Sequence, residues 1–283
     1  MLGVGATKSG TSWLYRYLAD HPDCHFRTIK ELHVFDALEK GRLDRQIDAR
    51  EAEVAAIRAR IASGRTRPGA GTRLQDREDL LEVLRSGGDV PAYLKYLSDG
   101  SGKAVVVGEV TPAYALVSPG RLQEMARMAS DVRFVYLMRD PMARLWSHVR
   151  MIARRRGGTD TVDPARAGRI LRRTIRDREP EIANRGDYRT ALEKLADAVD
   201  PSRLLVLVFE DLISGAAIGR LCAFLGIRLQ TPDLKPAHVG PPLAMTPGQS
   251  SAARDWLAPQ YDFVADWLGF RPAKWAYDLA EVR

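Results

Sequence analysis

At 283 residues, 45% of them hydrophobic, the chain is long enough to bury one large core, and nothing in its composition indicates disorder. No run approaches the ~20 apolar residues of a membrane span, no room for a signal peptide precedes the first motif, and five scattered histidines without a C-x-x-C pair leave no metal cluster, so a metal-free cytoplasmic protein is expected. The formal charge of +7 rests mainly on arginine, which suits phosphate, sulfate or carboxylate ligands and equally suits solvated helix faces; no basic stripe interleaved with aromatics points to nucleic acid.

In chain order, Leu2-Gly3-Val4 reads as a strand, short enough to suggest that the true start lies upstream. Gly5-Ala6-Thr7-Lys8-Ser9-Gly10-Thr11-Ser12 follows as a glycine-rich loop, and Trp13, Leu14, Tyr17 and Leu18 open a helix. Strand, loop and helix N-terminus together form an anion site, because backbone N–H groups and the helix dipole both favour negative charge there. Gly5 and Gly10 keep the G-x-x-x-x-G spacing of a Walker A loop, yet Thr11-Ser12 stands where Lys-[Ser/Thr] is required, and Lys8 lies inside the loop. Cys24 and Cys222, isolated in apolar surroundings, read as free buried thiols.

His25–Arg27 is a short second strand, and residues 30–35 form a loop or strand end. Ile47, Val54, Ile57 and Ile61 give Leu43–Ile61 the spacing of an exposed amphipathic helix. Gly64–Thr72 reads as a loop, and two further helical segments follow. Strands are expected at Lys103–Glu109, Val132–Met138 and Leu204–Phe209, separated by helical pattern. That alternation predicts an α/β fold, a three-layer arrangement with a central, mostly parallel sheet and helices on both faces, in one domain over 1–283. Gly108-Glu109, Met138-Arg139-Asp140 and Phe209-Glu210-Asp211 place polar groups at strand carboxyl ends, the edge where such sheets bind ligands.

Thr7-Lys8-Ser9-Gly10-Thr11-Ser12-Trp13-Leu14 resembles the 5′-phosphosulfate loop of sulfotransferases that use 3′-phosphoadenosine 5′-phosphosulfate (PAPS). Tyr136–Pro141, continuing through Arg144 to Ser147, resembles the 3′-phosphate motif of that family. Arg185-Gly186-Asp187-Tyr188 with Leu192, Glu210-Asp211-Leu212 and Phe224-Leu225-Gly226 resemble its later region. Residues 30–36 and 108–114 look most like the branch that includes heparan sulfate sulfotransferases and many bacterial relatives. The likeness covers nearly the whole chain in the right order and implies a P-loop-type fold.

The resemblance implies that Lys8 neutralises the leaving phosphate while Ser9, Gly10, Thr11 and Ser12 hold the phosphosulfate, without a required metal. It places Arg139 and Ser147 on the 3′-phosphate, although Arg139 read alone also suits a pair with Asp140 or a helix end. Trp13 and Tyr188 fall where the family sets aromatics near adenine, and either also suits the core. Glu31 matches the family's base, although beside Lys30 and read alone it suits a surface ion pair; His33 orients the acceptor or replaces Glu31, and Glu109 stands in reserve or pairs with Lys8 or Arg139. Val110 stands where the heparan-type members carry a lysine, and Lys235 and His238 are the only basic residues in the segment expected to close on the 3′-phosphate. The expected acceptor is a small molecule, lipid or saccharide, with residues 43–73 as a lid or acceptor-binding insertion. Two alternatives stay open: a P-loop nucleotide kinase, and a non-catalytic anionic-glycan module with Arg65–Arg73 and Arg154–Arg178 as its footprint.

Overall fold

The computed structural model describes residues 1–66, 68–158, 160–232 and 243–275; Lys235 and His238 lie outside these. Five strands, β1 (Leu2–Gly5), β2 (Cys24–Phe26), β3 (Val106–Val110), β4 (Phe134–Met138) and β5 (Leu204–Val208), form one sheet in the order β2-β3-β1-β4-β5. Every neighbouring pair is parallel. Helix α1 (Thr11–Ala19) follows β1, while α2 (Val34–Glu39), α3 (Leu43–Ala62), α4 (Ala70–Arg85) and α5 (Val90–Ser98) link β2 to β3. Helix α6 (Pro119–Arg127) leads to β4; α7 (Pro141–Gly157), α8 (Pro164–Ile175), α9 (Pro180–Asn184) and α10 (Tyr188–Ala198) lead to β5. The chain then passes through α11 (Phe209–Ile213), α12 (Ile218–Leu225) and α13 (Pro247–Leu268).

Strand β4 shows why both faces must be covered. Phe134, Tyr136 and Met138 enter one core, with residues of α2, α4–α8, α10 and α13. Val135 and Leu137 enter the other, with Trp13, Leu14 and Leu18 of α1 and Leu221, Cys222 and Leu225 of α12. The period-2 alternation of a strand thus divides its side chains between two buried layers. Many helices begin on proline after an acidic or hydroxyl cap, as at Asp140-Pro141, Asp163-Pro164 and Thr246-Pro247, which fixes φ and satisfies a first-turn N–H.

The expected strands and the helix over Leu43–Ile61 are present, with strand ends shifted by one to three residues; two differences bear on the site. Strand β5 stops at Val208, and Phe209 opens α11, so Glu210 and Asp211 lie on a helix instead of a strand end. The apolar run continues through Phe209 because its ring covers Gly10, a tertiary contact that periodicity does not reveal. Helix α4 starts at Ala70, inside the stretch read as loop, with Gly69 in the left-handed conformation at its cap. Cys24 and Cys222 are both free; Cys222 is buried and Cys24 half-buried.

Helices α7 and α8 are fastened by Glu179, which is 6% exposed and accepts from Arg156 of α7 (2.9 and 2.7 Å) and Arg173 of α8 (2.8 Å). The Arg156 hydrogen bond, with that of Arg173, outweighs burial and brings the Glu179 carboxyl down to about 2. A folded pKa below the unfolded value adds stability that is complete above the ordinary carboxyl range and is lost as pH falls. Glu179→Gln should therefore cost about 1–3 kcal/mol at neutral pH. Thermal melts at several pH values should show its gap from the unaltered chain closing between the ordinary carboxyl value of 4.5 and about 2.

Candidate active site

The glycine loop turns from β1, the central strand, into α1 at the carboxyl edge of the sheet. Lys8 (φ 71°) and Gly10 (φ 83°) both adopt the left-handed conformation. At Gly10 only glycine fits, because a Cβ there would lie 1.9 Å from the Phe209 ring. Gly10 is also the N-cap of α1 and supplies no capping side chain, so the helix meets the loop with its first-turn amides uncapped by that residue. Ser9 is fully buried and Thr11 is 5% exposed; Lys8, Gly10 and Ser12 are half-buried.

Cations gather around this loop. Burial lowers the Lys8 pKa first, and Arg139, Arg155 and Arg150 lower it further, with Glu31 opposing them. Arg139 donates to the Lys8 carbonyl (3.3 Å), lies over the Phe209 ring and comes only within 4.0 Å of Glu210. Arg185 donates to the Thr7 hydroxyl (3.2 Å). Beneath them His148, fully buried, is driven down to about 2 by burial, then by Arg144, Arg185, Lys8 and Arg155, and so stays neutral. The Asp140 carboxylate directs its hydrogen bonds away from Arg139: it caps α7 through the Ala143 N–H (3.1 Å) and accepts from Tyr261, while the Arg139 charge acts on it through space.

A second group of residues faces the loop from the turn before α2. Glu31 (φ 66°) and His33 (φ 57°) are both left-handed, which is uncommon for such side chains. The Glu31 N–H donates to the Val110 carbonyl (3.1 Å). Its carboxylate accepts from Lys30 and lies 3.6 Å from Nε2 of His33, whose Nδ1 meets Asp36 at 3.0 Å. Burial opposes ionisation of both groups, but the His33 and Lys30 contacts bring Glu31 down to about 2, and the Asp36 and Glu31 contacts raise His33 to about 9. Arg50 of α3 donates to the Glu31 carbonyl (3.3 Å), which ties the helix of residues 43–62 to this turn.

A sulfotransferase family model matches residues 2–231, most of the chain. The chain belongs to the sulfotransferase family. Its fold is similar to a sulfotransferase from Alicyclobacillus acidocaldarius, with a TM-score of 0.61, 22% identity and 97% of each chain covered. It is also similar to a sulfotransferase domain from the curacin biosynthetic pathway, with a TM-score of 0.51, 18% identity and coverage of 96% of this chain and 98% of that one. No curated protein matches the chain by sequence.

Within this sulfotransferase the structure brings Lys8, Ser9, Arg139 and Glu31 together but redirects several expected residues. Trp13 is 2% exposed and stacks on Tyr17 in the core with residues of α12. Tyr188 is also fully buried, and its hydroxyl is a pin: it donates to the Arg139 carbonyl (2.7 Å), accepts from the Arg139 N–H (3.1 Å) and lies 3.5 Å from Ser9 Oγ. Ser147 sits half-buried two turns into α7, beyond Arg139. Val110 is buried in the sheet, so no charge enters the site from that position. Among the described residues no group of His, Cys, Asp or Glu side chains is arranged to hold a metal ion, and no helix is long and apolar enough to cross a membrane.

Glu109 is corrected most sharply. It is neither a reserve base nor a partner of Lys8 or Arg139, because it is 2% exposed and accepts from Tyr93 (2.6 Å), Thr111 (2.5 Å) and Tyr114 (2.8 Å). Those hydroxyls in turn accept backbone N–H groups: Leu32 donates to Thr111 (2.9 Å) and Val34 to Tyr114 (3.2 Å). The buried carboxylate therefore fixes the backbone on either side of His33. Sequence reasoning also passed over Arg150, Arg155 and Arg185 as site residues; for Arg185 the signal was its place beside Gly186-Asp187-Tyr188. Removing the relay hydroxyls in Thr111→Val and Tyr114→Phe should speed amide exchange at Leu32 and Val34 respectively by roughly 2- to 13-fold, the equivalent of the ~0.5–1.5 kcal/mol that such a bond contributes. Hydrogen-exchange mass spectrometry of residues 28–36 checks this.

Proposed function

We propose that this sulfotransferase transfers the sulfuryl group of PAPS to a hydroxyl or amine of a small-molecule, lipid or saccharide acceptor. The observation that carries the reading is the crowding of Arg139, Arg150, Arg155 and Arg185 around Lys8 and an uncapped helix N-terminus. Such an excess of cations at backbone amides fits a ligand with several negative charges. When bound, the donor would supply an electrophilic sulfur and a phosphate leaving group on which negative charge develops.

The loop amides and the hydroxyls of Ser9, Thr11 and Ser12 would hold the phosphosulfate, and Lys8 would neutralise charge at the leaving oxygen, a task that divalent ions perform in phosphoryl transfer. Arg139 and Ser147 would take the 3′-phosphate, with the Arg139 fork freed by the engagement of Asp140 elsewhere. At neutral pH the proton of the Glu31–His33 pair sits on His33, so Glu31 is the group able to receive the acceptor's proton. His33, buttressed by Asp36, then orients that carboxylate. Helix α3, joined to Glu31 through Arg50, forms a wall of the acceptor side. A Walker-type kinase would need a lysine directly after Gly10, where Thr11 stands.

Calorimetry with 3′-phosphoadenosine 5′-phosphate (PAP) tests the donor: PAP should bind, and Arg139→Ala should weaken it by about 10–100-fold, as expected for loss of a charge-assisted contact. A preference for ATP with Mg²⁺ would overturn the reading. Glu31→Gln should leave PAP affinity intact and lower turnover by roughly 10²–10⁴-fold. With Glu31 as base, kcat/KM stays level across neutral pH; a tenfold rise per pH unit up to about 9 would transfer the role to His33.

A further inference from the structure

Residues 150–178, the C-terminal part of α7, α8 and the turns joining them to their neighbours, hold ten arginines and three aspartates, with no lysine, glutamate or histidine. The excess of seven equals the formal charge of the entire chain, +7, so the rest of the sequence is formally neutral. Helices α7 and α8 pack together, and their apolar residues, among them Ile152, Ile170 and Leu171, are buried in the core. Two arginines, Arg156 and Arg173, are engaged by Glu179. Arg154, Arg155, Arg169, Arg172 and Arg176 are exposed, and among the described residues none pairs with a carboxylate. None of the large exposed hydrophobic side chains lies on this pair, which argues against an apolar docking face.

This charge is not remote from the loop. Helix α7 begins at Pro141, two residues after Arg139, whose guanidinium donates to the Lys8 carbonyl (3.3 Å), and the charges of Arg150 and Arg155 on that helix help to lower the Lys8 pKa. The pair returns to the loop at its other end through α9 and Arg185, which holds Thr7. A surface with an excess of one charge sign beside a binding loop raises the local concentration of oppositely charged ligand and the rate of encounter.

We infer that the exposed arginines of α7 and α8 form an electrostatic funnel that steers the anionic nucleotide donor onto the glycine loop. The inference rests on the donor reading above and assigns the surface a kinetic role distinct from holding the bound nucleotide. A field of this kind acts on the association rate and fades with salt, while contacts in the closed site set the dissociation rate.

The test combines Arg154→Gln, Arg169→Gln, Arg172→Gln and Arg176→Gln, exposed helical positions at which glutamine keeps helix propensity. PAP association and dissociation are followed by rapid mixing at about 0.01 M and about 1 M salt, where the screening length is about 30 Å and about 3 Å. Association should slow about tenfold at low salt, the gap should close at high salt, and dissociation should hardly change. The same four positions changed to lysine should restore the rate, since charge and not guanidinium geometry is at work. Unchanged association at low salt, or a loss that lysine does not restore, would overturn the funnel while leaving the donor reading intact. Failure of the unaltered chain to bind PAP at all would overturn the donor reading and the funnel with it.

Discussion

Like charges crowded around one loop are the constraint on which the rest of this structure depends. Lys8, Arg139, Arg150, Arg155 and Arg185 repel one another, so packing has to hold the loop in shape. Phe209 lies on Gly10 where no other residue fits, and Tyr188 clamps the end of β4 through both backbone groups of Arg139. Below them Arg144 is 1% exposed and lies so close to Gly186 that a Cβ there would be 2.2 Å from its guanidinium. The Arg144 contact locks the turn that delivers both Arg185 and Tyr188. Burial, then neighbouring cations, lower the pKa of Lys8.

The acidic side of the site is organised in the opposite way. Glu109 is a buried carboxylate met by three hydroxyl donors, and its effect is transmitted through Thr111 and Tyr114 to the backbone around His33. Two departures into the left-handed region, at Glu31 and His33 on either side of Leu32, carry a conformational cost that this network sustains. The two glutamates therefore differ in setting: Glu109 is sealed and positions the backbone, whereas Glu31 is half-exposed and its ionised form is favoured by His33 and Lys30.

Charge is also partitioned across the whole molecule. The segment of residues 150–178 holds an excess equal to the chain's net charge, yet α7 and α8 are joined by a buried glutamate that uses only two of the arginines. Elsewhere arginine serves the architecture. Arg27, 7% exposed, joins β2 to Asp76 and Asp79 of α4, and Arg77 and Arg85 of α4 pair with Glu53 and Glu51 of α3. An arginine-rich composition thus contains two populations that no count distinguishes.

The parallel α/β architecture is legible in the amino-acid order alone, because apolar runs of strand length alternate with helical periodicity and parallel strands require such crossovers. So are the glycine loop and the placement of Arg139 after β4, since these are local and each rests on contiguous residues. Tertiary structure alone decided the fate of side chains whose chemistry permits two roles. Trp13 and Tyr188 became core and pin because neighbouring layers enclose them, and Glu109 became a hub because Tyr93 arrives from α5 and Tyr114 from the turn after β3. Helix α11 begins at Phe209 because its ring closes over Gly10, about two hundred residues earlier in the chain. Local pattern records which face a residue prefers; only the assembled layers show what stands opposite it, and burial and partner then set its charge and its role.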